Sequence, residues 1–390
     1  MSDSRKLRVL LMTLEPPELH TGVRIILHRH LVQDPPFDLK VIANRGPATE
    51  TATVDLLVEF PPWLDRLRRT RLNRWVKDFE NLVWPYLPNR AVWKMAKEFN
   101  PDVVLTIADH NLSYLAERVA RRLKVPLAVM FLDWFPVMKG RFGHTWTQGL
   151  MSRRYRTLYR RCDLAFCTSD GMQEMLGPHD NSHVIYPIGG KHKIPERKRD
   201  SHDGKFRLVY VGSVENFYGR MHCALIEGLK GRGDLEIRIG GPQADWPRDA
   251  LEEATRRGIY LGFVPSERAS QELADADALL VVMSFEKEHE LFMKTSFTTK
   301  FLDYAAFGKP IILWGPDYCT PSKLARREDA ALVVNDPDPR KVVAALEAIR
   351  ESPELAEKYA AASRRLHNTV FDPDRLQSVF TERIHKLAAA

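Results

Sequence analysis

Residues 296–313 read "SFTTKFLDYAAFGKPIIL", and the order of chemistries within them decides the fold class. Ser296, Thr298 and Thr299 are residue types that cap helix starts. After them Phe301, Leu302, Ala305 and Ala306 recur at helical spacing and are expected to face a sheet. Gly308 suits a left-handed C-terminal cap, and Pro310 forbids continuation. "IILW" is then a short, fully apolar strand. A capped helix that ends in Gly-x-Pro and runs into such a strand is one half of a parallel βαβ unit. Lys300 and Asp303 lie three residues apart on one side of the helix. Free amides at a helix start attract anions, and Lys300 adds a full charge there, so diphosphate is the natural guest. Asp303, one turn in, is placed to accept hydrogen bonds from ribose hydroxyls. The same residues also suit a plain capped helix carrying a surface ion pair.

The unit repeats along the chain. "LRVLLMTL", "DLKVIA", "DVVLTIA", "PLAVMFL" and "LAFCTS" read as strands in the first half; "FRLVYVG", "LEIRIGG", "IYLGFV", "ALLVVM", "PIILWG" and "ALVVND" do so in the second. Helix-length amphipathic stretches separate them, the pattern of parallel sheets buried on both faces. At 390 residues the chain exceeds one ordinary core. The polar run Gly189 to Lys205, "GGKHKIPERKRDSHDGK", reads as the link between two domains. We therefore expect an α/β protein of two doubly wound Rossmann-like domains: residues 1–190, a linker over 191–205, a second domain over 206–370, and a helix over 371–390 that packs back on the first domain. Ligands of such sheets bind at the carboxyl ends of the strands, so a cleft between the two sets of strand ends is expected.

Bulk properties exclude several classes. No apolar run approaches the length of a membrane span, and no small-residue cleavage site follows the start, so no signal peptide is expected. Cys162, Cys167, Cys223 and Cys319 have neither metal nor disulfide spacing and fit a reducing cytoplasm. A net charge of +7 is small for this length and no nucleic-acid recognition motif is present, so no nucleic-acid partner is expected.

"TKFLDYAAFGKPII" resembles the nucleotide-sugar signature of GT-B glycosyltransferases, particularly the large retaining family four. "FRLVYVGSVENFYGRMHCALIEGL", "LEIRIGGP", "IYLGFVPSERASQELADADALLVVMS" and "ALVVNDPDPRKVVAALEAI" resemble that family's other landmarks in the same order. The resemblance implies that the second half binds a nucleoside diphosphate sugar of UDP or GDP type. It assigns donor contacts to Gly212, Ser213, Phe263, Ser296, Thr298, Thr299, Lys300 and Asp303, with Asp303 in the place of the ribose-binding acid. It also implies that no metal or other cofactor is needed; "DADA", Asp275 to Ala278, precedes a strand and is read as family background. Two positions depart from the pattern. Thr295 stands where the family has a second acid, which puts the retaining outcome in doubt. Glu286, Glu288 and Glu290 in "SFEKEHELFMK" are candidate substitutes, or simply members of an exposed charged loop. The family's Arg and Lys after the glycine loop would fall near Ser213 and Tyr218, with Arg220 close but out of register.

In the first half, Gly22 of "TLEPPELHTGVRIILHRHL" lies where GT-B enzymes bring a glycine loop near the donor phosphates. His20 and His28 are read as surface residues. Asp109-His110 and Asp133 each follow a strand, and "DWFP" resembles a motif of bacterial members that build surface polysaccharides. Asp133 and His110 are the candidate catalytic pair; an N-cap role for Asp109 and a buried hydrogen bond for His110 are the alternatives. Residues 60–99 combine Trp63, Trp75, Trp84 and Trp93 with Arg66, Arg68, Arg69, Arg71 and Arg74, and "SRRYRTLYRR" repeats the theme. Such mixtures suit a membrane interface and equally suit helices packed on their own core. The whole reads as a cytoplasmic hexosyltransferase of cell-surface polysaccharide or glycoconjugate synthesis, with a glycan or lipid-linked acceptor and peripheral contact with the inner membrane. The alternatives are a GT-B sugar-nucleotide epimerase and a non-catalytic nucleotide-sugar binding subunit.

Overall fold

A computed structural model of the chain describes residues 5–19, 22–137, 147–190, 194–198 and 204–390. Contacts divide it into two compact units, Met1–Ile188 with Asp374–Ala390, and Gly189–Pro373. Most of the expected linker, 191–205, lies outside the described residues. Within the described part of it, the Lys198 amide donates to Asp275 (2.7 Å) and Arg197 pairs with Asp277 (2.7 Å), both in the second unit.

The first unit is built on seven parallel strands: β1 Arg8–Thr13, β2 Asp38–Ala43, β3 Leu56–Leu57, β4 Val103–Ile107, β5 Leu127–Phe131, β6 Leu164–Cys167 and β7 Ser182–Val184, in the order β3-β2-β1-β4-β5-β6-β7. The central strands β4, β5 and β6 are buried at every residue, as a sheet covered on both faces requires. The second unit holds five parallel strands: β8 Phe206–Val211, β9 Leu235–Gly240, β10 Ala278–Val282, β11 Ile311–Trp314 and β12 Leu332–Val334, in the order β12-β11-β10-β8-β9. Both sheets are pinned by the same device. An acid just before an inner strand accepts an amide at the start of its neighbour: Asp102 that of Arg8, the first residue of β1, and Asp277 that of Arg207, the second of β8, each at 2.8 Å.

Three expectations are corrected. "IYLGFV" forms no named strand; only Tyr260 bridges to Ile239, and Gly262, at φ 67°, turns the chain away. The stretch from Ser284 is not an open loop, since a short 3-10 turn, Lys287–His289, leads into the helix Glu290–Thr295. His28 is not on the surface but 9% exposed in the helix Val23–Leu31; His20 lies outside the described residues.

Strand order reverses between β1 and β4 in the first sheet and between β8 and β10 in the second. In doubly wound sheets the carboxyl side of such a switch point is where ligands bind.

Candidate active site

In the second unit the switch point is occupied by a lysine. The helix Thr299–Ala305 follows β10 and is seated by Phe301, Leu302, Tyr304 and Ala305, all buried. The Tyr304 hydroxyl accepts the Val211 amide (2.8 Å) and donates to the Val211 carbonyl (3.0 Å), tying this helix to the last residue of β8. That bond fixes the height of Lys300 over Gly212, the residue after β8. The approach is so close that a Cβ on Gly212 would stand 1.9 Å from Lys300 Cε and 2.7 Å from Nζ. The ammonium also lies over the rings of Tyr210 and Tyr218, at 5.5 and 5.1 Å. Among the described residues it makes no ion pair. Burial lowers its pKa to about 8, against a raising influence of Asp303. A desolvated cation held over π faces and glycine backbone gains most from an anion.

Around it, the helix Phe217–Gly228 begins at Asn216, at φ 58°, with no side-chain cap, although Asp245 accepts the Asn216 amide (2.8 Å). Ser213 offers its carbonyl to Tyr210 (2.6 Å). Asp303 Oδ1 stands 3.4 Å from the Gly190 amide. Phe263 is 71% exposed, a free aromatic face on the loop after Gly262. The hydroxyl row divides. Ser296 ends the preceding helix, its amide bonded to the Phe292 carbonyl, and is 6% exposed. Thr298 is the N-cap but its side chain makes no capping bond, and Thr299 is the first helical residue. The Thr298 hydroxyl thus satisfies no amide of this helix start, and Lys300 stands one residue into the same turn. Thr295 is fully buried and donates to the Leu291 carbonyl (2.8 Å), a structural position. Glu286 binds Arg220 Nε at 2.9 Å, so the acid and the arginine left over by the sequence reading are paired with each other. Glu286, Glu288 and His289 converge closely enough to suit a cation, but the Arg220 guanidinium already supplies positive charge there.

In the first unit the switch point gathers acids. Glu15, after β1, is paired with Arg24 (3.1 Å) and Arg45 (2.7 Å). Glu18, fully buried, pairs with Arg24 and accepts the amides of Ala48 and Thr49, both at 2.8 Å. Asp109 and His110 follow β4 and Asp133 follows β5. Burial, with Glu15 next in weight, pushes the Asp109 carboxyl up to about 8. Burial pushes His110 down to about 3, helped by Arg45, so its ring is neutral; it packs on Phe135 at 4.6 Å. His110 is the N-cap of the helix Asn111–Leu123, without a capping side-chain bond, so Asp109 is not the cap. The Asp133 carbonyl accepts the Tyr155 hydroxyl (2.9 Å). Gly22 caps the helix Val23–Leu31 at φ 61°, a conformation that favours glycine, with open space where a side chain would stand. The sequence reading passed over Glu15, Arg45, Tyr210 and Tyr304, and took Tyr218 only as the place of an absent basic residue. The acid in "TLEPPE" after the first strand was the available signal for Glu15.

The sequence and the fold have known relatives. The family model Glycosyltransferase Family 4 matches residues 26–187. A GDP-mannose-dependent alpha-mannosyltransferase of Corynebacterium glutamicum is 22% identical over 210 residues, 51% of this chain and 50% of that protein. The chain thus spans about half the length of the curated relative it matches. Among solved structures, Anabaena Alr3699/HepE in complex with UDP superposes with a TM-score of 0.65 at 14% identity, covering 97% of this chain and 100% of that one. Sucrose-phosphate synthase from Thermosynechococcus elongatus gives 0.65 at 12%, covering 98% and 100%. UDP-GlcNAc 2-epimerase from Neisseria meningitidis gives 0.56 at 12%, covering 97% and 100%. At these identities the structural likeness establishes the GT-B fold.

Proposed function

We propose that this chain, a family-four-like glycosyltransferase of GT-B fold, transfers a hexose from a nucleoside diphosphate sugar to a glycan or lipid-linked acceptor in surface-polysaccharide or glycoconjugate synthesis. The observation that carries the reading is Lys300: an enclosed ammonium, unpaired among the described residues, lying on the glycine after β8 at the switch point. In this reading the ammonium binds the donor diphosphate and stabilises the charge that develops as the glycosidic bond to phosphate breaks. Asp303 takes the ribose hydroxyls and Phe263 lies against the base. Gly212 and Ser213 give the phosphates close backbone approach. His110 and Asp133 meet the sugars, and no metal enters the scheme. The UDP complexes of HepE and the GDP-mannose dependence of the mannosyltransferase support UDP or GDP as the nucleotide.

Incubation with labelled UDP-glucose and GDP-mannose tests this: transfer or hydrolysis supports it, whereas isomerisation alone would mark an epimerase and binding alone a non-catalytic subunit. Asp303→Asn should weaken nucleoside diphosphate but not pyrophosphate, which lacks the ribose.

Peripheral membrane contact belongs to the same proposal. No described helix is long and apolar enough to cross a membrane. Trp63 and Trp75, 54% and 59% exposed, lie on the helices Pro62–Arg68 and Asn73–Leu82, with Leu72, Val83, Tyr86 and Leu87 also exposed. Arg66, Arg69, Arg71 and Arg74 are exposed beside them. By contrast Trp84 packs on Phe60 (5.0 Å), Trp93 lies under Arg122 (5.1 Å), and Arg68 is bound to Asp65 (2.7 Å). Basic groups near anionic lipid contribute about 1 kcal/mol each. Sedimentation with anionic vesicles, lost in high salt and on neutralising those four arginines, is expected; a protein that stays in the supernatant at low salt refutes the contact.

A further inference from the structure

Trp246 takes part in two places at once. Its indole Nε1 donates to the Val214 carbonyl (2.7 Å), inside the loop that follows β8 and begins at Gly212. The same residue lines a cavity of about 230 Å³ in the second unit, between the helices Phe217–Gly228 and Arg248–Arg256. Cavity wall and loop are packed without slack. Asp245 accepts the Asn216 amide (2.8 Å), and a Cβ on Gly219 would stand 2.7 Å from Asp245 Oδ1, 2.8 Å from the Val214 carbonyl oxygen and 3.0 Å from Trp246 Cδ1. In so close a packing a shift of Trp246 is passed to the loop over which Lys300 lies. Size and charge define the guest. The apolar lining comes from Trp246, Ile226, Ala250 and Ala254, with the Cys223 thiol among them. A cavity of about 150 Å³ suffices for benzene, so this one takes a single ring with a short arm. At the rim Glu227 pairs with Lys230 (2.5 Å), and Glu253 pairs with Arg256 and Arg257. Asp249, also at the rim, has no partner among the described residues. Burial, and then the negative charge of Asp245, push the Cys223 thiol up, so the interior is both apolar and negative.

We propose that this cavity is an effector site for a small organic ammonium ion, with its ring against Trp246 and its cationic arm on Asp249, and that its occupancy is felt at the donor diphosphate through Val214. The effect on the donor rests on the transferase reading; the cavity and its ligand class do not. Coupling between two sites is reciprocal, so amine and nucleotide change each other's affinity by one common factor.

The first test needs no turnover. Ligand-detected NMR titrations with phenethylamine, 2-phenylethanol and phenylacetate compare one ring carrying a positive, a neutral and a negative arm. The amine should bind most tightly, and Asp249→Asn should lower its affinity about fivefold, to the level of the alcohol. Ala250→Trp, which fills the cavity, should abolish binding of all three. Cys223 reports where the ligand sits. Cys162, Cys167 and Cys319 are buried whereas Cys223 is partly exposed, so Cys223 is the thiol open to iodoacetamide, and phenethylamine should slow its alkylation. For the coupling, titrations with UDP and GDP should give different Kd values with and without saturating phenethylamine. Trp246→Phe keeps an aromatic ring but loses the indole donor; it should retain the amine and lose that difference. An amine that binds no tighter than the alcohol, an Asp249→Asn protein with unchanged amine affinity, or a Cys223 that the amine leaves unprotected overturns the site. Nucleotide Kd values unmoved by bound amine overturn the effector role. Failure of UDP and GDP to bind in the absence of any amine would sink the transferase reading instead, and the NMR ranking and the Cys223 protection would still decide the cavity.

Discussion

Gly212→Ala isolates the Lys300 site without touching a charged residue. The new methyl would stand 1.9 Å from Cε and 2.7 Å from Nζ of Lys300, and the other contact within range, Lys300 Cδ at 3.2 Å, belongs to the same side chain. The three nearest atoms all belong to this flexible side chain, so the protein relieves the clash by swinging the lysine away. Gly212 has φ 158°, a conformation side chains rarely adopt, so the fold should survive with some loss of melting temperature. The diphosphate, however, loses its enclosed cation. A charge-assisted hydrogen bond contributes about 1.5–3 kcal/mol, which corresponds to roughly 10- to 150-fold in Kd. Calorimetric titration with UDP and GDP should show that loss, while uridine and guanosine, which lack phosphate, should bind as before. Lys300→Ala should cost about the same, and the double variant little more, because both substitutions remove one interaction. A Gly212→Ala protein that binds UDP and GDP normally, or a fully additive double variant, would refute the assignment of Lys300 to the diphosphate.

Other outcomes follow from the same geometry. The Lys300 pKa is lowered to about 8, so the ammonium is present below that pH and lost above it; an anion restores it. Nucleoside diphosphate binding should therefore take up a proton above about pH 8, seen as a buffer-dependent calorimetric heat that Lys300→Ala abolishes. Tyr304→Phe removes the partner of the Val211 amide and carbonyl; a loss of about 1–3 kcal/mol in denaturant melts, with weaker UDP binding, is expected. For Asp109 the carboxyl is raised from 3.8 to about 8. Between those values the unfolded chain ionises while the native one must hold its proton, costing native stability about 1.4 kcal/mol per pH unit. The melting-temperature advantage of Asp109→Asn over wild type should grow with pH and level off above about 8; a constant difference would contradict the buried, protonated acid.

How much of this was legible depended on whether a signal was local. β2 matches its expected run residue for residue, Asp38–Ala43, because Leu39 with the buried apolar Val41, Ile42 and Ala43 marks the strand locally. Leu56–Leu57 and Ser182–Val184 were not read, being too short at sheet edges to carry a period. "IYLGFV" has strand composition, but Gly262 and its position beyond β9 leave it one bridge. In the site, Lys300 and Asp303 were visible from helical spacing. The Tyr210–Tyr218 cradle and the Arg220–Glu286 pair were not, because they join residues from separate elements. Nor could spacing reveal the protonation of Asp109, which is set by enclosure and by Glu15, 94 positions away in the chain.

The helix Pro373–Ala389 bears on the order in which the chain can mature during synthesis. Phe380 and Ile384 are fully buried in the core of the first unit, with Phe380 against Phe166 (5.1 Å) and His30 (4.5 Å). Gln377 closes a two-way link with His30, its Oε1 accepting from Nδ1 at 2.8 Å and its Nε2 donating to the main-chain carbonyl at 2.8 Å. Residues 1–188 therefore complete their core only once residues 374–390 have been made, whereas Gly189–Pro373 is continuous and can close beforehand. A nascent chain stalled before this helix should show protease resistance in its later half and sensitivity in its earlier one. A frameshift within the codons for residues 374–390 would disable the unit encoded upstream by residues 1–188.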